Sequence, residues 1–336
     1  MTATSDAALV IGIAHYPRLN RLDGPVADAE RVADWLVARG GLLAANLELV
    51  LSDDAAEGHP ILQEIDDAFD RIFARARSWG TARRLYVYFA GHGCSREIEH
   101  VALLMANADL DRLNRAMNAA EYRDALAQRL FPEQIYLFDC CRNYDRSVTG
   151  RGPEWTFDDS AEPMPDSIQV VLYAAGFTEY ANERNLIYDH RRGLFTEALI
   201  EGLNGAAASG DLSGGDGIVS TARLIPYLRD RLDQLTRAEN VRQHFWHEIR
   251  GARSSVVLAT GVTPWRRSVT VDVPAGTVRL VVRDGNYARV LEKELAASVR
   301  SVGVELELTE YTLTAEPSGA SATIRLLADG PTAVSL

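Results

Sequence analysis

The 336-residue sequence has few cysteines: Cys94, Cys140 and Cys141, the last two adjacent. No even disulfide framework can be drawn from that set, so a reducing compartment is the expected setting. Basic charge is short as well, with 35 Lys+Arg against 47 Asp+Glu and a formal net charge of −12. That deficit argues against a nucleic-acid partner, which would call for a basic face to displace counterions. No apolar run approaches the roughly 18 residues of a membrane span. Met1 to Asp6 also lacks the basic stretch of a secretory leader. The cytoplasm is therefore the expected location, with no membrane partner. Lysine is almost missing, since Lys293 is the single one and the other bases are arginines. What is present, 47% apolar and 24% charged residues, is the profile of a folded chain long enough for two domains.

The first 260 residues alternate short apolar runs with helical stripes. Ala8 to Ala14 is continuous and apolar, as a strand buried on both faces requires. Asp23 to Arg39 carries Val26, Ala29, Ala33, Leu36 and Val37 at helical spacing and ends at Gly40-Gly41. Further strands are expected at Leu47–Leu51, Leu85–Phe89, Ile135–Phe138, Ile168–Tyr173 and Ser255–Ala259. Helices are expected at Ile61–Ala76, Gly193–Gly202 and Thr221–Leu235. The alternation predicts an α/β domain over residues 1–260, a mostly parallel six-stranded sheet between two helical layers. Asn143 to Asp166 has glycines, prolines and acids but no apolar period, which reads as a mobile loop, and Gly205–Gly217 also reads as loop. Residues 261–336 read as a small β-rich domain, with a helix near Tyr287–Ser298.

Ligands of an open parallel sheet bind beyond the carboxyl ends of its strands. Two such ends carry reactive chemistry: Ala90-Gly91-His92-Gly93-Cys94 and Asp139-Cys140-Cys141-Arg142. A thiol becomes a nucleophile at neutral pH when a histidine supplies thiolate. Glycines beside the histidine let backbone N–H groups approach a developing oxyanion. Neither end is specific alone. Together, with the cysteine 49 positions after the histidine, they match the His-to-Cys gap given for caspases.

The chain resembles caspase-like cysteine peptidases, nearest to bacterial caspase homologues and metacaspases. The resemblance spans about residues 7 to 260. It is carried by the two boxes above and supported by Leu22-Asp23-Gly24 with Asp28-Ala29, Tyr173-Ala174-Ala175 with Glu179-Tyr180-Ala181, and Gly193-Leu194-Phe195-Thr196. It implies the caspase-like three-layer fold, His92 as general base and Cys141 as nucleophile. It also implies an oxyanion hole made by the N–H groups of Gly93 and Cys141, and a dyad with no third member evident. Cys140 takes the family's small-residue position. Cys94, just after the histidine turn, reads as incidental; only if exposed would it be a redox-sensitive thiol.

Metacaspase-like enzymes select Arg or Lys with pocket acids. Asp139, two residues before Cys141, and Asp28 in Ala27-Asp28-Ala29 match those positions, although the family's asparagine before the second acid is missing. Two converging half-buried carboxylates repel until a cation arrives, a physical reason for that selectivity. Glu179 and Tyr180 would border the cleft, while His15 and Tyr16 read as packing. The 143–166 segment sits where the family has its intersubunit linker, with Arg146 and Arg151 as processing sites of a zymogen. The implied activity is a regulated endopeptidase with protein substrates and an upstream activator or cascade partner, in bacterial defence, cell death or stress. The β-rich domain would serve interaction or regulation. The implied chemistry requires no cofactor. Calcium activates some metacaspases, and Asp211 to Asp216 carries part of a calcium-loop composition. His244 and His247 have the spacing to meet a metal on one helical turn but lack further ligands. The alternative from another class is a catalytically silent scaffold for protein–protein interaction. A nucleotide-binding reading lacks a glycine-rich loop after the first strand.

Overall fold

The computed structural model describes residues 4–127, 130–146, 148–155, 167–179, 181, 183–184, 192–210, 217–328 and 332–336. By internal contacts the chain divides into two compact units: Met1–Ile200 with Leu232–Val256, and Glu201–Arg231 with Val257–Leu336.

In the first unit the chain runs β1 (Asp6–Gly12), α1 (Pro25–Ala38), β2 (Leu47–Leu51), α2 (Leu62–Ser78) and β3 (Arg84–Gly91). It continues through the short strands β4 (Gly93–Ser95), β5 (Val101–Leu104) and β6 (Ala116–Asn118) to α3 (Ala119–Leu126) and β7 (Glu133–Cys140). Then come β8 (Asn143–Tyr144), β9 (Ile168–Tyr173), the pair β10 (Glu183–Arg184) and β11 (Arg192–Gly193), and α4 (Leu194–Glu201). After β12 (Gly217–Ser220) and α5 (Thr221–Ala238) the chain returns for β13 (Trp246–Gly251).

Six strands form one mixed sheet in the order β13-β9-β7-β3-β1-β2, parallel except for β13. β1, β3 and β7 are buried almost throughout, which is why their sequences are apolar runs rather than alternations. One face packs Leu9, Ile11, Val87, Phe89 and Phe138 against Ile65, Phe69, Ile72 and Phe73 of α2 and Tyr122 of α3. α2 buries the stripe its sequence predicts, and the Glu64 carboxylate accepts the Ile61 N–H at 2.7 Å to cap it. On the other face α1 buries Ala29, Val32, Ala33 and Leu36, and Tyr88 reaches Thr196 of α4. This is the predicted three-layer α/β arrangement.

The sixth strand is not Ser255–Ala259. The edge position beside β9 is filled by β13, with Trp246 opposite Tyr173 and Gly251 opposite Ile168. Its sequence, Trp-His-Glu-Ile-Arg-Gly, is largely polar and only partly buried, so an apolar-run criterion passes over it. That strand also takes His247 off any helix. His244 precedes it and bonds Glu179, while the His247 ring stacks on Phe245.

The expected loop at 143–166 is partly ordered. β8 pairs with β4, Arg151 exchanges backbone hydrogen bonds with Ala116 and Asn118, and Val148 is buried. Trp155 packs edge-on against Phe69, Phe73 and Tyr122. Residues 147 and 156–166 lie outside the described residues.

The second unit continues with β14 (Val257–Val262), β15 (Arg266–Asp272), β16 (Arg279–Asp284), β17 (Arg289–Glu294), β18 (Ser301–Glu307), β19 (Glu310–Glu316), β20 (Ser321–Arg325) and β21 (Ala333–Ser335). Its sheets run β18-β15-β21 and β17-β16-β19-β20, and β12 pairs with β14. That last pairing draws residues 257–260 and the 201–231 excursion into this unit. β15 and β18 alternate buried with exposed residues and β19 buried with half-buried ones, so each strand buries one side. Where a helix is expected near Tyr287, the chain makes a tight turn held by Asp284 and continues as β17, hydrogen-bonded to β16. Among the described residues no helix is long and apolar enough to cross a membrane.

Candidate active site

β1, β3 and β7 are in register, with Gly12 beside Ala90 and Gly91 beside Cys140, so the segments after them leave the sheet along one edge. β2 lies on one side of β1 and β3 on the other, which puts the topological switch point here. A cavity of about 610 Å³ opens at this edge, lined by His92, Gly93 and Cys141 together with Asp28, Asp139 and Gly193.

His92 follows β3, and its Nε2 lies 2.7 Å from the backbone carbonyl oxygen of Asn20. A carbonyl only accepts, so Nε2 carries the proton and Nδ1 is the basic nitrogen of the neutral ring. Burial lowers the His92 pKa from its ordinary value, and the Asn20 carbonyl offsets part of that. The ring is therefore neutral at pH 7 and able to accept a proton. Tyr16 holds the histidine from behind. Its hydroxyl accepts the His92 backbone N–H at 2.9 Å and donates to the Leu104 carbonyl at 3.2 Å, and its ring centroid is 4.6 Å from the imidazole. Sequence reasoning missed the Asn20 carbonyl because any residue at position 20 supplies it. It read Tyr16 as packing because a tyrosine after a strand carries no signal of its own.

At the end of β7 the two adjacent cysteines part. Cys140 is 2% exposed and its thiol is pushed well above its ordinary pKa, chiefly by burial. Cys141 is half-buried and lines the cavity. Its Sγ is 3.4 Å from the Ala181 N–H, which donates to it, and 3.8 Å from the Ala181 carbonyl oxygen. An N–H aimed at sulfur favours the thiolate. Gly93 allows the close approach of β4, because a Cβ there would lie 2.6 Å from Cys140 Sγ and 2.7 Å from the Cys141 carbonyl oxygen. Cys94 is buried, which fits an incidental residue rather than an exposed redox-sensitive thiol. Burial, with Asp145 and Cys141 nearby, pushes it up to about 12, which removes it as a ready redox centre.

The acids sit at the same cavity. Asp28, in the first turn of α1, is 2% exposed; its Oδ2 accepts the Gly193 N–H at 2.7 Å and its Oδ1 accepts from Arg31 at 3.2 Å. Asp139 Oδ2 accepts from Thr196 twice, from Oγ1 at 2.7 Å and from the backbone N–H at 3.3 Å. Thr196 spends its one hydroxyl proton there, so the Tyr88 hydroxyl, 2.6 Å from the same Oγ1, donates to it. Gly193 lies between the acids. A Cβ on it would collide with Asp139 Oδ2 and come within 3.1 Å of Asp28 Oδ2. Burial first, and then the charge of Asp139, raise Asp28 to about 7, outweighing Gly193, Arg31 and the favourable helix terminus. Asp28 therefore ionises reluctantly at neutral pH, and a cation placed between the two carboxylates would lower that cost.

The family model described as the caspase domain matches residues 5–216. The chain belongs to the caspase family. No curated protein matches the sequence. Among solved structures it is similar to caspase-1 from Spodoptera frugiperda (14% identity, TM-score 0.46, 74% of this chain and 87% of that one). It is also similar to the Drosophila initiator caspase Dronc (11%, 0.48, 78% and 86%). The membership itself rests on the domain match and gives a caspase-like cysteine peptidase fold acting on protein substrates.

Within this caspase fold the remaining expected residues fall as follows. Glu179 does not line the described cavity. Its carboxylate accepts from Gly176 N–H, His244 N–H and His244 Nδ1 at 3.2, 2.9 and 2.6 Å. Burial raises its pKa, but the His244 hydrogen bonds outweigh that and leave it lowered. Tyr180 and the Asp211–Asp216 stretch lie outside the described residues. Arg146 and Arg151 are both exposed, but only Arg151 has its backbone tied to β6. Arg142 is a residue the sequence reading left unassigned. It is 1% exposed, donates its N–H to Glu179 O at 2.8 Å, accepts from Thr178 at 2.9 Å and reaches the Ile98 carbonyl with Nη2. Its guanidinium lies 4.4 Å from the Tyr173 ring centroid, so it clamps the turn after Cys141 from several sides.

Proposed function

We propose that this caspase-family chain is a cysteine endopeptidase that cleaves proteins after arginine, and after lysine as a second choice. Cys141 is the nucleophile and His92, through Nδ1, the general base. The N–H groups of Gly93 and Cys141 receive the oxyanion, and Asp28 with Asp139 binds the cationic side chain. The observation that carries this reading is the convergence of a neutral, carbonyl-anchored histidine, an accessible cysteine and two buried acids on one cavity. The thiolate attacks the substrate carbonyl, and the His92 imidazolium returns its proton to the leaving amine. Water then hydrolyses the thioester. The chemistry is complete without a cofactor. A regulated role in bacterial defence, cell death or stress, in the cytoplasm, is the setting this activity fits. The 261–336 region would serve partner binding.

Processing in the linker falls first after Arg146, because cleavage after Arg151 would require its hydrogen bonds to Ala116 and Asn118 to open. The test of the whole reading is labelling with a peptidyl-arginyl chloromethyl ketone followed by mass spectrometry. Modification of Cys141 that vanishes in His92→Ala supports it. An unmodified Cys141, with intact iodoacetamide reactivity, refutes it.

A further inference from the structure

Part of the cavity wall is apolar. Leu19, Leu22, Leu110 and Leu113 line it, and Leu110 is 78% exposed. Leu19, Leu22 and Leu113 are half-buried against the core, so together with the exposed Leu110 they give one side of the reactive site an apolar wall. All four belong to segments tied to His92. Leu19 and Leu22 flank Asn20, whose carbonyl holds Nε2. Leu104 donates its N–H to the His92 carbonyl at 2.9 Å, and the chain beyond it leads to Leu110 and Leu113.

His92 has a second duty in peptide hydrolysis. As the C–S bond forms and the C–N bond breaks, the imidazolium hands its proton to the departing amine. That amine, and the residue it belongs to, must therefore lie beside His92, while the preceding cationic side chain occupies the acids. We propose that these leucines form the subsite for the residue immediately after the cleaved bond, and that it selects an apolar side chain the size of leucine, methionine or phenylalanine. The inference rests on the peptidase reading above and extends it to the other side of the bond. Continuity with the cavity that holds Cys141, and a volume larger than one side chain fills, both favour this occupant. Arg146 and Arg151 are followed by Ser147 and Gly152, so self-cleavage in the linker is slower than cleavage of an Arg-Leu peptide.

The test uses internally quenched peptides in two series, Arg or Asp before the bond, each followed by Leu, Gly or Asp. In the Arg series the Leu peptide should exceed the Gly peptide about tenfold or more in kcat/KM, with the Asp peptide slowest. Leu110→Ser should reduce the Leu-over-Gly ratio to about twofold, and Leu110→Met should restore it. Equal rates for Leu and Gly, or a ratio untouched by Leu110→Ser, would overturn the inference. If only the Asp series is cut, the arginine reading fails, and the Leu-over-Gly ratio within that series still decides the subsite. If neither series is cut, both fall together.

Discussion

The two ends of the cavity are built differently. At the His92–Cys141 end the partners are mostly backbone: the Asn20 carbonyl on Nε2, the Ala181 N–H on Sγ, and the tyrosine hydroxyl of Tyr16 on a main-chain N–H. At the acid end the partners are side chains and repulsion. Asp28 and Asp139 are held close by Gly193, Thr196 and Tyr88, and burial leaves one of them unwilling to ionise. The first end orients reacting atoms at little electrostatic cost. The second holds two close carboxylates, one of them costly to ionise, which under the proposed reading a cationic substrate would relieve. Substitutions at the first end should therefore act on kcat, and substitutions at the second on KM and on pH dependence.

The largest effect is expected from the dyad. Cys141→Ala and His92→Ala should each lower kcat on an arginyl peptide by at least about a thousandfold, with KM little changed. A matching loss in KM would erase the contrast between the ends.

Next comes Asp28→Asn, which should lower kcat/KM for arginyl peptides by about a hundredfold, mainly through KM. In the wild type the cation needs both carboxylates ionised, so KM should rise as pH falls through about 7. Asp28→Asn should lose that dependence. Stability carries the same signature. Asp28 has a raised folded-state pKa, so its favourable contribution is present below the unfolded value and is lost as pH rises through about 7. Asp28→Asn should thus be more stable than wild type at pH 8, by on the order of 1–4 kcal/mol. The advantage should fade toward pH 4, which denaturant midpoints at the two pH values would show.

Smaller still, Thr196→Val removes a donor from Asp139 and strands the Tyr88 hydroxyl. KM should rise about tenfold with kcat retained, and Thr196→Ser should restore it. Tyr16→Phe keeps the ring against His92 but loses both hydroxyl hydrogen bonds. A severalfold fall in kcat at constant KM is expected. A change in KM instead would make Tyr16 part of substrate binding.

The contrast also explains what was legible in the sequence. β1, β3 and β7 are buried on both faces and read directly as apolar runs, and the chemistry at their ends reads with them. Asp139 is visible because a buried acid at a strand end calls for a reason, whereas Asp28, in the first turn of α1, is visible only through the family position that Ala27-Asp28-Ala29 matches. The Asn20 and Ala181 contacts are invisible because main-chain groups are common to every residue. β13 is invisible for the opposite reason to β1: an edge strand that stays partly wet has no apolar signature. The helix expected near Tyr287 fails because a hairpin turn and an exposed strand present little periodicity to read. The partly buried Trp155 lies in a segment whose composition reads as loop, yet its ring finds an aromatic cluster on α2 and α3.

The central claim is arginine-directed cleavage through Cys141, and a panel of fluorogenic peptides differing only in Arg, Lys or Asp before the bond tests it most directly. The predicted result is kcat/KM highest for Arg, lower for Lys and at least about a hundredfold lower for Asp, with all activity absent in Cys141→Ala. Preferential cleavage after Asp, or activity that survives Cys141→Ala, would contradict it.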